Sequence, residues 1–267
     1  MRAVILAGGL GTRLRPYTTV IPKPLVPVGD RPVLEHIIRS LVKCGVDQVD
    51  LCVNYLGQLI RVYLANADLP PELQLAYHWE PEPLGTAGAL KAVPDLTGTF
   101  IVMNGDVLTT LDYRELLECH RQADAALTVA MHGKRVDVDL GVIESNGGLV
   151  RNYIEKPTLR YQVSMGIYVY EARALRYLPR GACQFPELVW RLLAAGERVA
   201  AWESDAEWFD IGTVGEYERA AAEVERFPEK YDLEPLLFPP PEVIPAMQAE
   251  NGRKKPLLRV ASDERWG

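Results

Sequence analysis

Leu6-Ala7-Gly8-Gly9-Leu10-Gly11-Thr12-Arg13-Leu14-Arg15-Pro16 follows directly on the apolar run Ala3-Val4-Ile5. A short, continuous apolar run is what a parallel strand buried on both faces shows. The glycines beyond it let backbone amides come close to an anion with no side chain in the way. A strand that opens into such a loop reads as the first unit of an α/β fold. Two known loops of this kind do not fit. The dinucleotide fingerprint needs a third glycine where Leu14 stands, and the phosphate loop of nucleoside triphosphatases needs Gly-Lys-Ser or Gly-Lys-Thr, which the stretch does not contain.

Outward from the loop, strands and helices alternate. Pro32–Lys43 places Val33, Leu34, Ile37, Ile38, Leu41 and Val42 on one helical stripe, with Gly45 positioned to end it. Strands are expected at Gln48–Asn54, Leu73–Glu80 and Thr99–Asp106, and helices at Leu56–Leu64 and Thr86–Val93. Such alternation predicts a parallel sheet with right-handed crossovers. From Ala125 the rhythm changes. Ala125–Met131, Gly141–Glu144, Leu149–Ile154 and Gln162–Tyr170 read as strands, with Asn146-Gly147 as a hairpin turn signal. Helices follow near Glu171–Leu178 and Pro186–Ala195. The expected fold class is α/β, Rossmann-like, with a mixed and mainly parallel sheet flanked by helices and a β-rich second half that offers another binding surface. Residues 1–227 read as one folded domain. Residues 228–267, which include Pro239-Pro240-Pro241, read as a proline-rich C-terminal tail.

Composition narrows the partners. The formal net charge is −7, and no basic block of the kind that marks a nucleic-acid binder occurs. Positive charge for an anionic ligand must therefore be placed locally. Cys44, Cys52, Cys119 and Cys183 are widely spaced without a Cys-x-x-Cys pair, which suggests buried reduced thiols and neither a zinc site nor a disulfide framework. The sequence shows no signal-peptide pattern and no membrane-length apolar window, so a cytoplasmic protein with no membrane partner is expected.

The stretch Leu6 to Pro16, continuing into Ile21-Pro22-Lys23-Pro24-Leu25, resembles the signature of the sugar-1-phosphate nucleotidyltransferases. Further matching segments follow in family order: Pro83-Leu84-Gly85-Thr86-Ala87-Gly88-Ala89-Leu90, Asn104-Gly105-Asp106, Glu155-Lys156-Pro157, Met165-Gly166-Ile167-Tyr168 and Phe209-Asp210-Ile211-Gly212-Thr213. The resemblance thus covers all of the chain but its tail.

It implies that a phosphate oxygen of a sugar 1-phosphate attacks the α-phosphorus of a nucleoside triphosphate, giving a nucleotide-sugar and pyrophosphate. That nucleophile is already ionised near neutral pH. Catalysis must then come from holding two anions together and stabilising charge in the transition state. Arg13 offers a fixed fork for phosphate oxygens and Lys23 a mobile point charge. By resemblance both contact the triphosphate, Arg13 also helps the pyrophosphate leave, and Lys156 completes the catalytic set. The nucleotide contacts implied are Leu6, Ala7, Gly8, Gly9, Gly11 and Thr12 of the loop, with Glu80, Gly85 and Thr86 of the second glycine motif. Gly141, Glu155, Lys156 and Gly166 are the implied sugar contacts. Asp106 and Asp210 are the implied pair on Mg2+, a metal suited to hard oxygen ligands.

The base is addressed by Glu80. In thymidylyl and uridylyl members this position is commonly glutamine. A carboxylate only accepts hydrogen bonds, and guanine offers N1–H and its exocyclic amine side by side. The segment Glu80 to Gly88 is also similar to that of mannose-1-phosphate guanylyltransferases. GTP and mannose 1-phosphate are the expected substrates. Heptose, glucose and cyclitol phosphates, other bases, and a homodimer stay open. The presence of Arg13, Lys23, Asp106, Lys156 and Asp210 weighs against a non-catalytic, nucleotide-sugar-binding subunit, and Leu14 against a dehydrogenase.

Overall fold

The computed structural model describes residues 1–80 and 82–232. The protein is built on a sheet of seven strands: β1 (Arg2–Ala7), β2 (Gln48–Val53), β3 (Gln74–Trp79), β4 (Thr99–Asn104), β5 (Leu127–Asp137), β6 (Thr158–Glu171) and β7 (Val199–Glu203). Their order across the sheet is β7-β5-β6-β4-β1-β2-β3. β1 pairs parallel with β2 and β4, β2 with β3, and β5 with β7; β6 runs antiparallel to both neighbours. The sheet is mixed and mainly parallel, as the alternation predicts.

Helices α1 (Val33–Lys43), α2 (Gly57–Leu64), α3 (Tyr113–Ala123), α4 (Phe185–Ala194) and α5 (Val214–Arg226) flank it. Alternate strand residues feed two cores, which is why Ala3-Val4-Ile5 is apolar without a break. Ala3, Ile5, Leu51, Val53, Ile101 and Met103 pack in one core with the apolar stripes of α1, α2, α3 and α5. Val4, Cys52, Phe100 and Val102 pack in the other with Ala87, Leu90 and α4 residues Leu188 and Leu192. α1 ends where expected, its last turn closed by the Gly45 N–H donating to the Val42 carbonyl at 2.9 Å.

Several expectations are corrected. Thr86–Val93 is not one helix but an α turn, Gly85–Gly88, followed by a 3-10 turn, Ala89–Ala92. Pro94 disfavours helical backbone at Val93, which is extended with ψ 113°. The hairpin Val142–Asn146 and Leu149–Ile154 forms, but Asn146 pairs with Leu149, so the turn's central residues are Gly147-Gly148 and not Asn146-Gly147. β5 and β6 outrun the expected Ala125–Met131 and Gln162–Tyr170. Their outer parts pair with each other at the surface, Arg135 opposite Arg160, where no core imposes an apolar pattern. In α3 the charged Arg114, Glu115, Glu118 and Arg121 dilute the apolar stripe, and the Asp112 carboxylate caps the helix by accepting the Arg114 N–H at 2.9 Å. α3, β7 and α5 come from the structure alone.

Past Phe227 the chain makes a 3-10 turn, Pro228–Tyr231, whose Tyr231 ring packs in the core beside His36. From residue 233 onward the expected tail lies outside the described residues. Cys52 and Cys183 are buried, whereas Cys44 and Cys119 are half-buried, and all four are free thiols. No described helix is long and apolar enough to cross a membrane.

One buried charge ties the first three strands together. Asp50 on β2 is 1% exposed; it accepts from Arg2 Nε on β1 at 3.0 Å and lies 2.7 Å from His78 Nε2 on β3. Removing it strands two polar side chains in a dry place, which costs about 3 kcal/mol. Asp50→Ala should lower the unfolding free energy by that amount, read as a lower urea midpoint at an unchanged slope. A midpoint equal to wild type would mean that Arg2 and His78 hold the strands without it.

Candidate active site

β1 and β4 lie side by side where the strand order reverses: β2 and β3 extend to one side of β1, and β4 pairs with its other edge. Open α/β sheets leave a crevice at the carboxyl ends of their strands at such a point. The glycine loop leaves β1 there, and Gly105-Asp106 leaves β4. The Gly105 N–H donates to the Leu6 carbonyl at 2.9 Å, so the two exits stay joined. Fully buried Leu14 anchors the loop to the core, and the Thr18 hydroxyl donates to the Gly11 carbonyl at 2.7 Å.

After Asp106 the short strand Val107–Thr109 pairs antiparallel with Trp208–Asp210, and the Ile211 N–H donates to the Asp106 carbonyl at 3.0 Å. This pairing carries Asp210 to Asp106 from the far end of the folded domain. Lys23 binds both. Its ammonium forms an ion pair with Asp106 and lies 3.8 Å from Asp210 Oδ1, on a side chain only 10% exposed. Arg13 closes the group from the glycine loop: the space a Gly212 Cβ would fill lies 3.2 Å from Arg13 Nη2 and 3.2 Å from Asp210 Oδ1. Burial, then the neighbouring Asp106 charge, raises the Asp210 carboxyl above its ordinary value, against the pull of Lys23 and Arg13.

Two carboxylates side by side at the mouth of a cleft are a pair of hard oxygen donors of the kind a divalent cation takes. Mg2+ is commonly held by one or two carboxylates, with waters and substrate phosphates supplying the rest. Among the described residues no cluster of three or more His, Cys, Asp or Glu is placed to hold a metal; Asp106 and Asp210 supply two carboxylates, the number such a shared site takes from the protein.

Asp106 also walls a cleft of about 460 Å³ with Leu6, Gly8, Gly9, Glu80, Gly85 and Thr86. Six of the implied nucleotide contacts are thus gathered. Ala7 is buried beneath the loop, Gly11 backs onto Lys23, and Thr12 faces solvent. Glu80 has one free end. Its Oε2 accepts the Leu84 N–H at 3.1 Å, while Oε1 lies 3.2 Å from where a Gly8 Cβ would stand. Gly85 has φ +78°, and a Cβ there would sit 2.6 Å from the Cys183 carbonyl, so this turn tolerates no side chain.

Three further polar side chains line the cleft, those of Asn54, Asn104 and Gln184. Asn104 ends β4 and Asn54 follows β2, so their place at strand carboxyl ends is a signal that sequence reading could have used. Gln184 carries none; it reaches the cleft because Cys183 and Phe185 bond the Gly85–Gly88 turn, with Phe185 N–H donating to Thr86 Oγ1 at 2.9 Å.

The implied sugar contacts are less closely gathered. The β5–β6 register shifts between Ser164 and Tyr168, and this bulge sets Gly166, φ +73°, against the Asn104 side chain, where a Cβ would lie 2.6 Å from Nδ2. Gly141 instead lies under the Tyr153 ring on the hairpin, and the Tyr153 hydroxyl donates to Glu155 Oε2 at 3.0 Å. Glu155 and Lys156 are exposed and do not line the cleft.

A family model described as nucleotidyl transferase matches residues 2–226. Mannose-1-phosphate guanylyltransferase 1 of Arabidopsis thaliana is 33% identical over 226 residues, 81% of this chain and 63% of the relative. UTP–glucose-1-phosphate uridylyltransferase of a Synechocystis species is 33% identical over 248 residues, 82% of this chain and 62% of the relative. The match therefore spans under two thirds of the length of these relatives. Among solved structures, HddC of Yersinia pseudotuberculosis complexed with GMP-PN superposes with a TM-score of 0.64 at 29% identity, over 83% of this chain and 98% of that one. With its glycine loop, its paired aspartates and a family match over nearly all of the described residues, the chain belongs to the nucleotidyl transferase family.

Proposed function

We propose that the protein transfers a nucleoside monophosphate from a nucleoside triphosphate to a sugar 1-phosphate, with GTP and mannose 1-phosphate as the favoured pair. The observation that carries this reading is the Asp106–Lys23–Asp210 group at the mouth of a cleft walled by the glycine loop. In the reaction an oxygen of the sugar phosphate forms a bond to the α-phosphorus. The bond from that phosphorus to the bridging oxygen breaks, and pyrophosphate leaves with the electron pair. Mg2+ held by Asp106 and Asp210 would neutralise phosphate charge during this exchange.

The chain's own residues do the rest. Gly8 and Gly9 let the loop backbone approach the nucleotide, and Lys23 supplies a positive charge poorly shielded by water, worth more there than at the surface. Arg13, beside Asp210, offers two N–H groups to charge that grows on the leaving oxygens.

For the base, Glu80 Oε1 is an acceptor in the cleft without a partner among the described residues, and a purine with adjacent N–H donors suits it better than a pyrimidine carbonyl. A relative named as a guanylyltransferase and a solved relative holding GMP-PN support guanine; the Synechocystis uridylyltransferase makes UTP the comparison to run.

Asp106→Asn and Asp210→Asn should each cut turnover by about two orders of magnitude or more while leaving the urea midpoint near wild type, because the charge at the α-phosphate is lost and the fold is not. Near-normal turnover in both variants, or full activity in a chelator, would remove the metal from the mechanism. Glu80→Gln should narrow the preference for GTP over UTP by about 1–3 kcal/mol, read as the ratio of kcat/KM values with mannose 1-phosphate. A wild-type enzyme that prefers UTP or dTTP refutes the guanine reading, and an unchanged ratio in the variant moves base selection to the loop Leu6 to Gly11.

A further inference from the structure

Asp210 also walls a second cavity, of about 440 Å³, which the nucleotide reading leaves unused. Four cationic side chains line it: Arg13 from the glycine loop, Lys134 and Arg135 from the outer part of β5, and Arg219 from α5. The two cavities meet at the carboxylate pair, since Asp106 lines one, Asp210 the other, and Lys23 touches both.

These cations are poorly compensated. Arg219 is held by Glu216 at 2.9 Å and lies 5.9 Å over the Phe209 ring, but among the described residues Arg13, Lys134 and Arg135 form no ion pair. Arg135 moreover stands directly opposite Arg160 in the β5–β6 ladder. Like charges facing across an antiparallel pair destabilise it unless an anion or solvent intervenes. In a chain of formal net charge −7, such a local surplus is placed against the general trend. Apart from Trp208, the remaining walls are polar or small, and the four cations outnumber the two carboxylates, Asp210 and Glu216, that share the lining. Such a lining suits a group made of oxygen and charge better than an apolar one.

We propose that this cavity is a phosphate subsite in which Lys134 and Arg135 take a phosphate group across Asp210 from the nucleotide cleft. The inference rests on the nucleotidyl-transfer reading for its choice of ligands. Two reactants carry the required chemistry: the pyrophosphate that leaves, and the phosphate of the sugar 1-phosphate.

The test separates them. Inorganic pyrophosphate and mannose 1-phosphate are each titrated calorimetrically into the wild-type protein, Lys134→Ala/Arg135→Ala and Lys134→Gln/Arg135→Gln, the last keeping much of the side-chain bulk. Thermal midpoints are measured alongside. The expected result is a loss of affinity of about tenfold or more for one of the two ligands in both double variants, at a midpoint no lower than wild type, since removing Arg135 also relieves its repulsion with Arg160. Loss confined to pyrophosphate assigns the leaving-group end, and loss confined to the sugar phosphate assigns the acceptor end; either supports the subsite. Affinities for both ligands within about twofold of wild type overturn it. Because binding is read without turnover, a wild type that makes no nucleotide-sugar yet binds pyrophosphate through Lys134 and Arg135 defeats the reading of the reaction and leaves the subsite standing.

Discussion

The contact of one ammonium with two carboxylates, Lys23 with Asp106 and Asp210, sets the terms for the rest of the molecule. Carboxylates in this partly dry place repel each other and lose hydration, a cost that a cation fixed between them offsets. Lys23 reaches them from the segment after the glycine loop, Asp106 from the exit of β4, and Asp210 from the strand before α5. Three distant parts of the chain must therefore close on one point. The backbone guarantees this independently of the charges, through the pairing of Val107–Thr109 with Trp208–Asp210 and the Ile211 to Asp106 bond. Carboxylates held by backbone geometry need not rearrange when a different cation or a phosphate arrives, which is the condition for electrostatic preorganisation.

The sheet explains why that point falls where it does. With β1 central and its neighbours leaving in opposite directions, the crevice above β1 and β4 is where connections part and where backbone groups face outwards. The one reversed strand, β6, has a second consequence. Running antiparallel beside β4, it carries its bulge past the crevice, so that Gly166 meets Asn104. The same strand and β5 then continue beyond the sheet as a surface ribbon. One half of the fold thus ends in loops that wall the cleft, while the other extends two paired strands beyond the sheet.

How much of this was written in the sequence follows from what each part buries. Ala3-Val4-Ile5, the stripe of α1 and the β4 run Phe100 to Met103 are legible because both sheet faces are covered and the apolar pattern has no gaps. The glycine loop, Lys23, Asp106 and Asp210 were legible through a composite signature, and the structure brings those three charged residues together. Lys134 and Arg135 were not, since a charged pair on a strand that leaves the core looks like any solvated edge. Gln184 was invisible for a related reason: its role comes from bonds to the Thr86 turn, a tertiary contact that no periodicity records. The 3-10 ending of the Gly85 segment was hidden in a run of good helix formers, Ala89 to Ala92, and is decided by Pro94 one residue beyond Val93.

The charge distribution links these parts. At a net charge of −7 the protein as a whole repels both of its proposed substrates, so long-range steering works against it. Salt screens that repulsion over about 8–10 Å, whereas half-buried contacts such as Lys23 with its aspartates are screened far less. Binding must then be won at short range, by cations on separate elements that converge only in the folded state. Arg13 hangs from a loop pinned by Leu14, Lys23 is buried against the carboxylates, and Lys134 and Arg135 ride on a ribbon beyond the core. A general basic surface would have attracted many anions; this arrangement favours one that carries several phosphate oxygens at the spacing of the cluster, because only such a ligand reaches all the cations at once.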